Sequence, residues 1–315
     1  MKRLSISPYL PALLIIAIAA CNKVEVPLNE DIVESTETIN TITYSIDNYT
    51  FVDDMPQTKT TLDTDNSILW AAGDTVGIYP NQGAQVYFTI ESGGASQATF
   101  DGGGWAFKAG STYSAYYPFI GDIYLDRANI PVCFTGQEQN GTTGVSHLGS
   151  HLYMYTEPSS VSTGVLNFQF KHLPCIIRVI ATLPAGTYTK LAITAPSALF
   201  VKEGHYNLSA GNCSIVGDVY SNQIQIDLTN ITLTEQTQFK IYLTSAPVDL
   251  KGKEITVSIL DSQKKELQCK KTPSYTYTSG NIWGLTCSSW TEVPQNMGMI
   301  IEDWGNSGTV SGDAD

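Results

Sequence analysis

"VLNFQFKHLPCIIRVIATL", residues 165–183, reads as two β-strands. In the first, Val165, Asn167, Gln169 and Lys171 fall on one face, and Leu166, Phe168, Phe170 and His172 on the other. A period of two is what a pleated strand with one buried face requires, because successive side chains point to opposite sides. The apolar face predicts His172 as a hydrogen-bonded core residue rather than a catalyst. "CIIRVIATL" (175–183) continues as the second strand.

The same rhythm extends in both directions. Downstream, "YTKLAITAP" (188–196), "NQIQIDLTN" (222–230), "TQFKIYLTSAP" (237–247), "KEITVSILD" (253–261) and "IWGLTC" (282–287) are strand-like. Upstream, "TITYSID" (41–47) places Ile42, Tyr44 and Ile46 on one face, and "TVGIY" (75–79) aligns Val76 with Ile78. "QVYFTI" (85–90) and "QATFDGGGWAF" (97–107) follow, and "STYSAYYPF" (111–119) puts Tyr113, Ala115, Tyr117 and Phe119 on one side. "DTDN" (63–66) and "AAGD" (71–74) supply turn chemistry. No segment offers a helix of ten or more residues, and short strands at this spacing argue for β-sandwiches rather than βαβ units. "TEPSSVSTG" (156–164) interrupts the pattern with Pro, Ser and Gly and reads as a linker. The expected fold is therefore all-β, with one sandwich domain over 41–160 and a second over 161–315.

The start of the chain is different in kind. "LLIIAIAAC" (13–21) ends an apolar run that follows Lys2 and Arg3. The run is too short to cross a bilayer, which takes roughly 20 apolar residues. Basic start, short apolar middle and small residues before the cut are the layout of a secretory signal. Ile18-Ala19-Ala20-Cys21 resembles a bacterial lipobox, which implies a signal peptide over 1–20, cleavage before Cys21, and lipid on its thiol and new amino terminus. Several acyl chains, palmitate among them, make anchoring stable where one is marginal. Residues 21–40 are acidic, polar and aperiodic, and read as a tether.

The chain has 315 residues, with 17 basic and 30 acidic side chains and a net charge of −13. Loss of Lys2 and Arg3 would make the mature protein more acidic still. With no basic stripe, nucleic acid is not an expected partner. After Cys21 there remain Cys133, Cys175, Cys213, Cys269 and Cys287, an odd number at wide spacings. Most are expected to be isolated buried thiols.

Catalytic and metal-binding patterns are weak throughout. His147 and His151 are four apart, a zinc spacing on a helix, but Gly149 lies between them and no Glu follows His147. Asp63, Asp65 and Ser67 open like a calcium loop but lack its glycine and closing Glu. "GVSHLG" (144–149) is not a nucleophile elbow. Trp70, Trp105, Trp283, Trp290 and Trp304 could form a sugar platform, though such residues more often fill sandwich cores. No catalytic centre, metal site or cofactor is expected.

"TKTTLDTDNSILWAAGDTVGIYP" (58–80) resembles the first-domain signature of the fimbrillin family, the lipoprotein precursors of type V pilus subunits and their tip and accessory relatives. "YSAYYPF" (113–119) is similar to that family's aromatic strand, "LNFQFKHLPCIIRV" (166–179) to the strand opening its second domain, and "SGNIWGL" (279–285) and "IIEDW" (300–304) to its last strands. The resemblance implies two tandem transthyretin-like β-sandwiches on an exported lipoprotein. It implies a structural or adhesive role in a pilus at the cell outer membrane, as shaft, tip or accessory subunit. The implied partners are the membrane through the lipid, other pilus subunits by strand addition, and a host or bacterial surface ligand. In polymerising members a protease removes the first strand and a neighbour's strand takes its place. The family cut follows arginine, and Lys59 occupies the matching position here. The tail after Trp304, "GNSGTVSGDAD", is polar and acidic, a poor donor strand. The alternative functional expectation is a surface lipoprotein that captures glycans on exposed Trp and Tyr.

Overall fold

The computed structural model describes residues 41–52, 68–90, 93–101, 107, 110–122, 124–161 and 165–294. In chain order the strands begin with β1 (Thr41–Ile46), β2 (Thr50–Val52), β3 (Thr75–Pro80), β4 (Val86–Thr89), β5 (Gln97–Asp101) and β6 (Thr112–Tyr117). Next come β7 (Ile130–Cys133), β8 (Glu138–Asn140), β9 (Met154–Thr156), β10 (Ser159–Ser160) and β11 (Val165–His172). Then follow β12 (Cys175–Leu183), β13 (Gly186–Thr194), β14 (Phe200–Tyr206), β15 (Ile215–Ser221) and β16 (Gln223–Leu233). The last are β17 (Thr237–Ser245), β18 (Ile255–Asp261), β19 (Glu266–Lys271), β20 (Asn281–Cys287) and β21 (Thr291–Glu292). Two short 3-10 turns, Ser146–His151 and Leu208–Ala210, are the only helical pieces among the described residues. The fold is all-β, as the two-residue periodicity required.

The strands form four sheets. The largest has eight strands in the order β4-β3-β6-β9-β11-β1-β5, with β10 added on β6. Its two faces feed different clusters. Val76, Ile78, Ala115, Tyr117 and Met154 point to one side, into a core that also holds Trp70 and Phe107. Tyr79, Tyr116 and Tyr155, the intervening residues, point to the other side, where the small sheet β15-β14-β7 contributes Ile130, Val132, Val201 and Tyr206. Burial on both faces explains why β3 and β6 lack polar alternation. Phe119, grouped in sequence with Tyr117, lies past the end of β6 and stacks on Tyr87 at 4.8 Å on the opposite side. The strand ends before it, so the period of two no longer applies.

The other two sheets, β17-β12-β20-β2 and β21-β19-β18-β13-β16-β8, close over a largely aliphatic core that also holds Phe200, Phe239, Tyr277 and Trp283. Ile177, Val179, Leu191, Ile193, Ile224, Ile226, Ile241, Leu243, Val257 and Ile259 all lie in it. One edge of this sandwich is sealed by side chains. Gln137 accepts from the Thr244 amide (2.8 Å) and donates to the Thr244 carbonyl (2.9 Å). Gln139 accepts from the Tyr242 amide (3.0 Å) and donates to the Lys240 carbonyl (2.9 Å). A side-chain amide has the donor and acceptor of a peptide group. Two of them, from residues bracketing Glu138 of β8, thus stand in for the strand that edge β17 lacks.

The sheets interleave across residue 160. β11, in the part of the chain expected to open a second domain, pairs with β1 and β9 in the eight-stranded sheet. β8 pairs with β16 in the six-stranded sheet, and the β14–β15 hairpin pairs with β7. Within the 156–164 stretch, Thr156 ends β9 and Ser159–Ser160 forms β10 against β6, so this part of it is sheet rather than linker. Pro158 falls between the two strands, where its missing donor costs no ladder bond. Residues 41–294 belong to one compact unit.

Candidate functional site

"TITYSIDNYTFV", residues 41–52, carries the features that single out a site. Its first six residues are β1, whose alternate side chains Ile42, Tyr44 and Ile46 are 0%, 1% and 7% exposed. β1 runs parallel to β11, with Ile42 opposite Leu166, Tyr44 opposite Phe168 and Ile46 opposite Phe170. On its other side it runs antiparallel to β5, with Tyr44 opposite Ala98. The structure places this strand inside the sheet, between two neighbours. Its buried face belongs to an aromatic nest. Tyr44 stacks on Phe168 at 6.0 Å and meets Trp70 edge-on at 6.1 Å, and Trp70 meets Phe170 and Tyr117 at 5.4 and 5.5 Å. Edge-to-face rings at these separations are favourable beyond their burial.

Residues 47–49 carry the chain from one sandwich to the other. The Asp47 amide donates to the Phe170 carbonyl (2.9 Å), continuing the β1 ladder by one bond. The Asp47 carbonyl accepts from Nε2 of His172 (2.7 Å), which fixes the proton on that nitrogen. Burial pushes the His172 pKa down to about 4, so the ring is neutral. Tyr49 lies on the His172 ring at 3.9 Å and is itself buried. The expectation of a hydrogen-bonded core histidine therefore holds, with its partner supplied by the N-terminal segment. The Thr50 amide then donates to the Gly280 carbonyl (3.0 Å), and β2 pairs parallel with β20 at the edge of the four-stranded sheet.

One continuous N-terminal segment thus completes two sheets, with Ile42, Tyr44 and Ile46 buried in the first and Tyr49 packed among Ile176, Tyr242 and Ile282 of the second. Burying an aliphatic or aromatic side chain of this size is worth about 1.5–3 kcal/mol, so Ile42, Tyr44, Ile46 and Tyr49 together hold the segment firmly. Its removal would leave β5 without a partner and open the β11 flank of the nest. An apolar groove with a free strand edge is a site for another strand.

The other expected sites fall elsewhere. Cys21, Lys59, Asp63, Asp65, Ser67, Trp105 and Trp304 lie outside the described residues. His147 and His151 sit on the 3-10 turn Ser146–His151, and each Nε2 faces a backbone carbonyl, of Tyr242 (2.8 Å) and Thr135 (3.1 Å). Those nitrogens hold chain segments together instead of converging on an ion. Among the described residues no group of three or more His, Cys, Asp or Glu could hold a metal. Trp70 and Trp283 are buried, Trp283 stacked on Tyr277 at 5.1 Å, and Trp290 is half-buried with its Nε1 donating to the Thr182 carbonyl (2.9 Å). They pack in cores and make no exposed sugar platform. Sequence reasoning missed Gln137 and Gln139, whose one signal is their i, i+2 spacing in a short polar stretch.

No protein-family model matches the chain, and no curated protein matches it in sequence. Its structural neighbours include proposed cell adhesion proteins and fimbrial proteins. A proposed cell adhesion protein from Bacteroides uniformis superposes with a TM-score of 0.50 at 15% identity, over 71% of this chain and 91% of that one. A second, from Bacteroides ovatus, gives 0.50 at 13% identity over 82% and 96%. The C-terminally truncated tip fimbrial protein Mfa3 of Porphyromonas gingivalis gives 0.39 at 10% identity over 80% and 99%. The likeness to the first two shows a shared fold.

Proposed function

We propose that this protein is a structural or adhesive component of a cell-surface pilus, carried on the outer membrane by lipid on Cys21. The observation that carries this reading is the seating of β1 inside the large sheet, parallel to β11 and antiparallel to β5. A strand added in this way from the chain start can leave without cutting any other element. In this reading β1 and β2 are a placeholder, Lys59 is the processing point, and a strand from another subunit takes the vacated groove. Both strands precede Lys59, so one cut frees both. The fold shared with two proposed adhesion proteins supports the reading. The protein acts by binding and assembly, without a catalytic centre. Its ligand lies on a host or bacterial surface.

The test of the anchor is Cys21→Ala. The variant should accumulate as unprocessed precursor and lose labelling by a fatty-acid analogue. Normal maturation and labelling would refute the lipid anchor. Negative-stain microscopy of sheared surface material should show the protein in filaments or at their ends; its absence from any such assembly would refute the pilus role.

A further inference from the structure

Cys269 and Cys287 are the two cysteines that the sequence gives no reason to pair. Cys269 lies in β19 of the six-stranded sheet and Cys287 ends β20 of the four-stranded sheet. Both side chains point into the core between those sheets, 4% and 0% exposed. The registers bring the two positions together. Cys287 stands opposite Ala181, and the next residue on that strand, Thr182, receives the Trp290 Nε1 hydrogen bond. One residue later Thr291 stands opposite Gln268, the neighbour of Cys269. The chain therefore crosses from sheet to sheet through residues 288–290 and arrives beside Cys269. Both thiols are free in the structure, and Cys269 lies near enough to Cys287 to push its pKa up.

We propose that Cys269 and Cys287 form a disulfide that staples the two sheets of the C-terminal sandwich. The other described cysteines have different neighbours. Cys175 donates to the Ser245 carbonyl (3.5 Å), Cys213 to the Asn207 carbonyl (3.2 Å), and Cys133 meets the Thr135 hydroxyl (3.0 Å). In the closed sandwich, burial and the adjacent Cys269 keep the Cys287 thiol protonated and unreactive. The bond therefore forms during folding, before the sheets close. The oxidant is a disulfide donor, either a protein disulfide or a low-molecular-weight one. One cysteine thiolate attacks the donor disulfide and expels one donor thiolate, which takes up the proton that the cysteine lost. The second thiolate then attacks the mixed disulfide and expels the other. Two protein thiols are oxidised to one disulfide, and the donor disulfide is reduced to two thiols. The compartment that supplies such a donor rests on the proposed surface location; the chemistry itself does not.

The test uses the full chain, refolded from the reduced state with oxidised and reduced glutathione and purified by size exclusion as the folded fraction. Remaining thiols are alkylated in denaturant, and the chain is digested without reduction for mass spectrometry. The expected result is a linked peptide joining Cys269 to Cys287, with Cys133, Cys175 and Cys213 alkylated. Recovery of Cys269 and Cys287 as separately alkylated residues, or cross-linked to other cysteines, would overturn the proposal. A second readout is independent of mapping. Dithiothreitol should lower the Tm of the oxidised wild type by about 5 °C and leave that of Cys269→Ala/Cys287→Ala unchanged. An equal shift in both would also overturn it. Neither readout depends on pilus assembly, so the proposed function and the disulfide fail separately.

Discussion

β1 and β2 belong to one stretch of chain and meet their sheets in opposite ways. β1 is interior, has a strand on each side, and buries three large side chains in an aromatic nest. β2 is a three-residue edge strand on β20, in a sheet already joined through β17, β12 and β20. Loss of the segment would therefore split the first sheet and merely shorten the second. The difference teaches where an incoming strand would gain its energy. Specificity would lie in the pockets beside Phe168, Phe170 and Trp70, and β20 would add backbone pairing.

The sharpest way to break this comparison is Tyr44→Ala. Removing a fully buried ring from the nest should cost about 3–5 kcal/mol in urea unfolding. A loss under about 1 kcal/mol would mean that β1 is not seated as described. Next in size is the pH response of His172, the link between the two strands. Its folded pKa, about 4, lies below the ordinary value of 6.5, so as pH falls the unfolded chain takes up the proton first. The stability it contributes is complete above pH 6.5, is lost as pH drops toward 4, and falls no further below that. The whole effect is at most roughly 3 kcal/mol. Burial lowers the His147 pKa too, so the difference between wild type and His172→Gln isolates the His172 part. The variant keeps a donor for the Asp47 carbonyl and should lack that slope. An unchanged slope would remove His172 from the account.

Gln137→Leu addresses the C-terminal sandwich and should cost about 1–3 kcal/mol, because the buried Thr244 amide loses its acceptor. If β17 is instead an edge that tolerates exposure, stability will not move, and the variant will show no added tendency to self-associate. The smallest effect is expected for Lys171→Met. Its 2.6 Å ion pair with Glu157 is solvent-exposed, and such pairs contribute about 0–1 kcal/mol.

The strands themselves were legible because their signal is local. Alternation at 41–47 and 165–172 named Ile42, Tyr44, Ile46, Leu166, Phe168 and Phe170 as core, and all six are buried. Their pairing was not legible. Residues 41–46 and 165–172 are far apart in sequence, and parallel partners carry no turn between them that could fix a register. The interior position of β1 was hidden for the same reason, since nothing near it announces β5. The Pro/Ser/Gly stretch at 156–164 reads as a linker by composition. A two-residue strand such as β10 is too short to produce a period. Gln137 and Gln139 bond to backbone about a hundred residues away, and polarity alone marks neither as buried.

The central claim is that β1 and β2 form a removable segment bounded at Lys59. The direct measurement is mass spectrometry of the N-termini of protein collected from the cell surface, for wild type and Lys59→Ala. A wild-type terminus at Thr60, accompanied by ladder-forming oligomers and replaced by Cys21 alone in the variant, is the expected result. Termini at Cys21 only in both would contradict the claim and leave β1 a permanent strand.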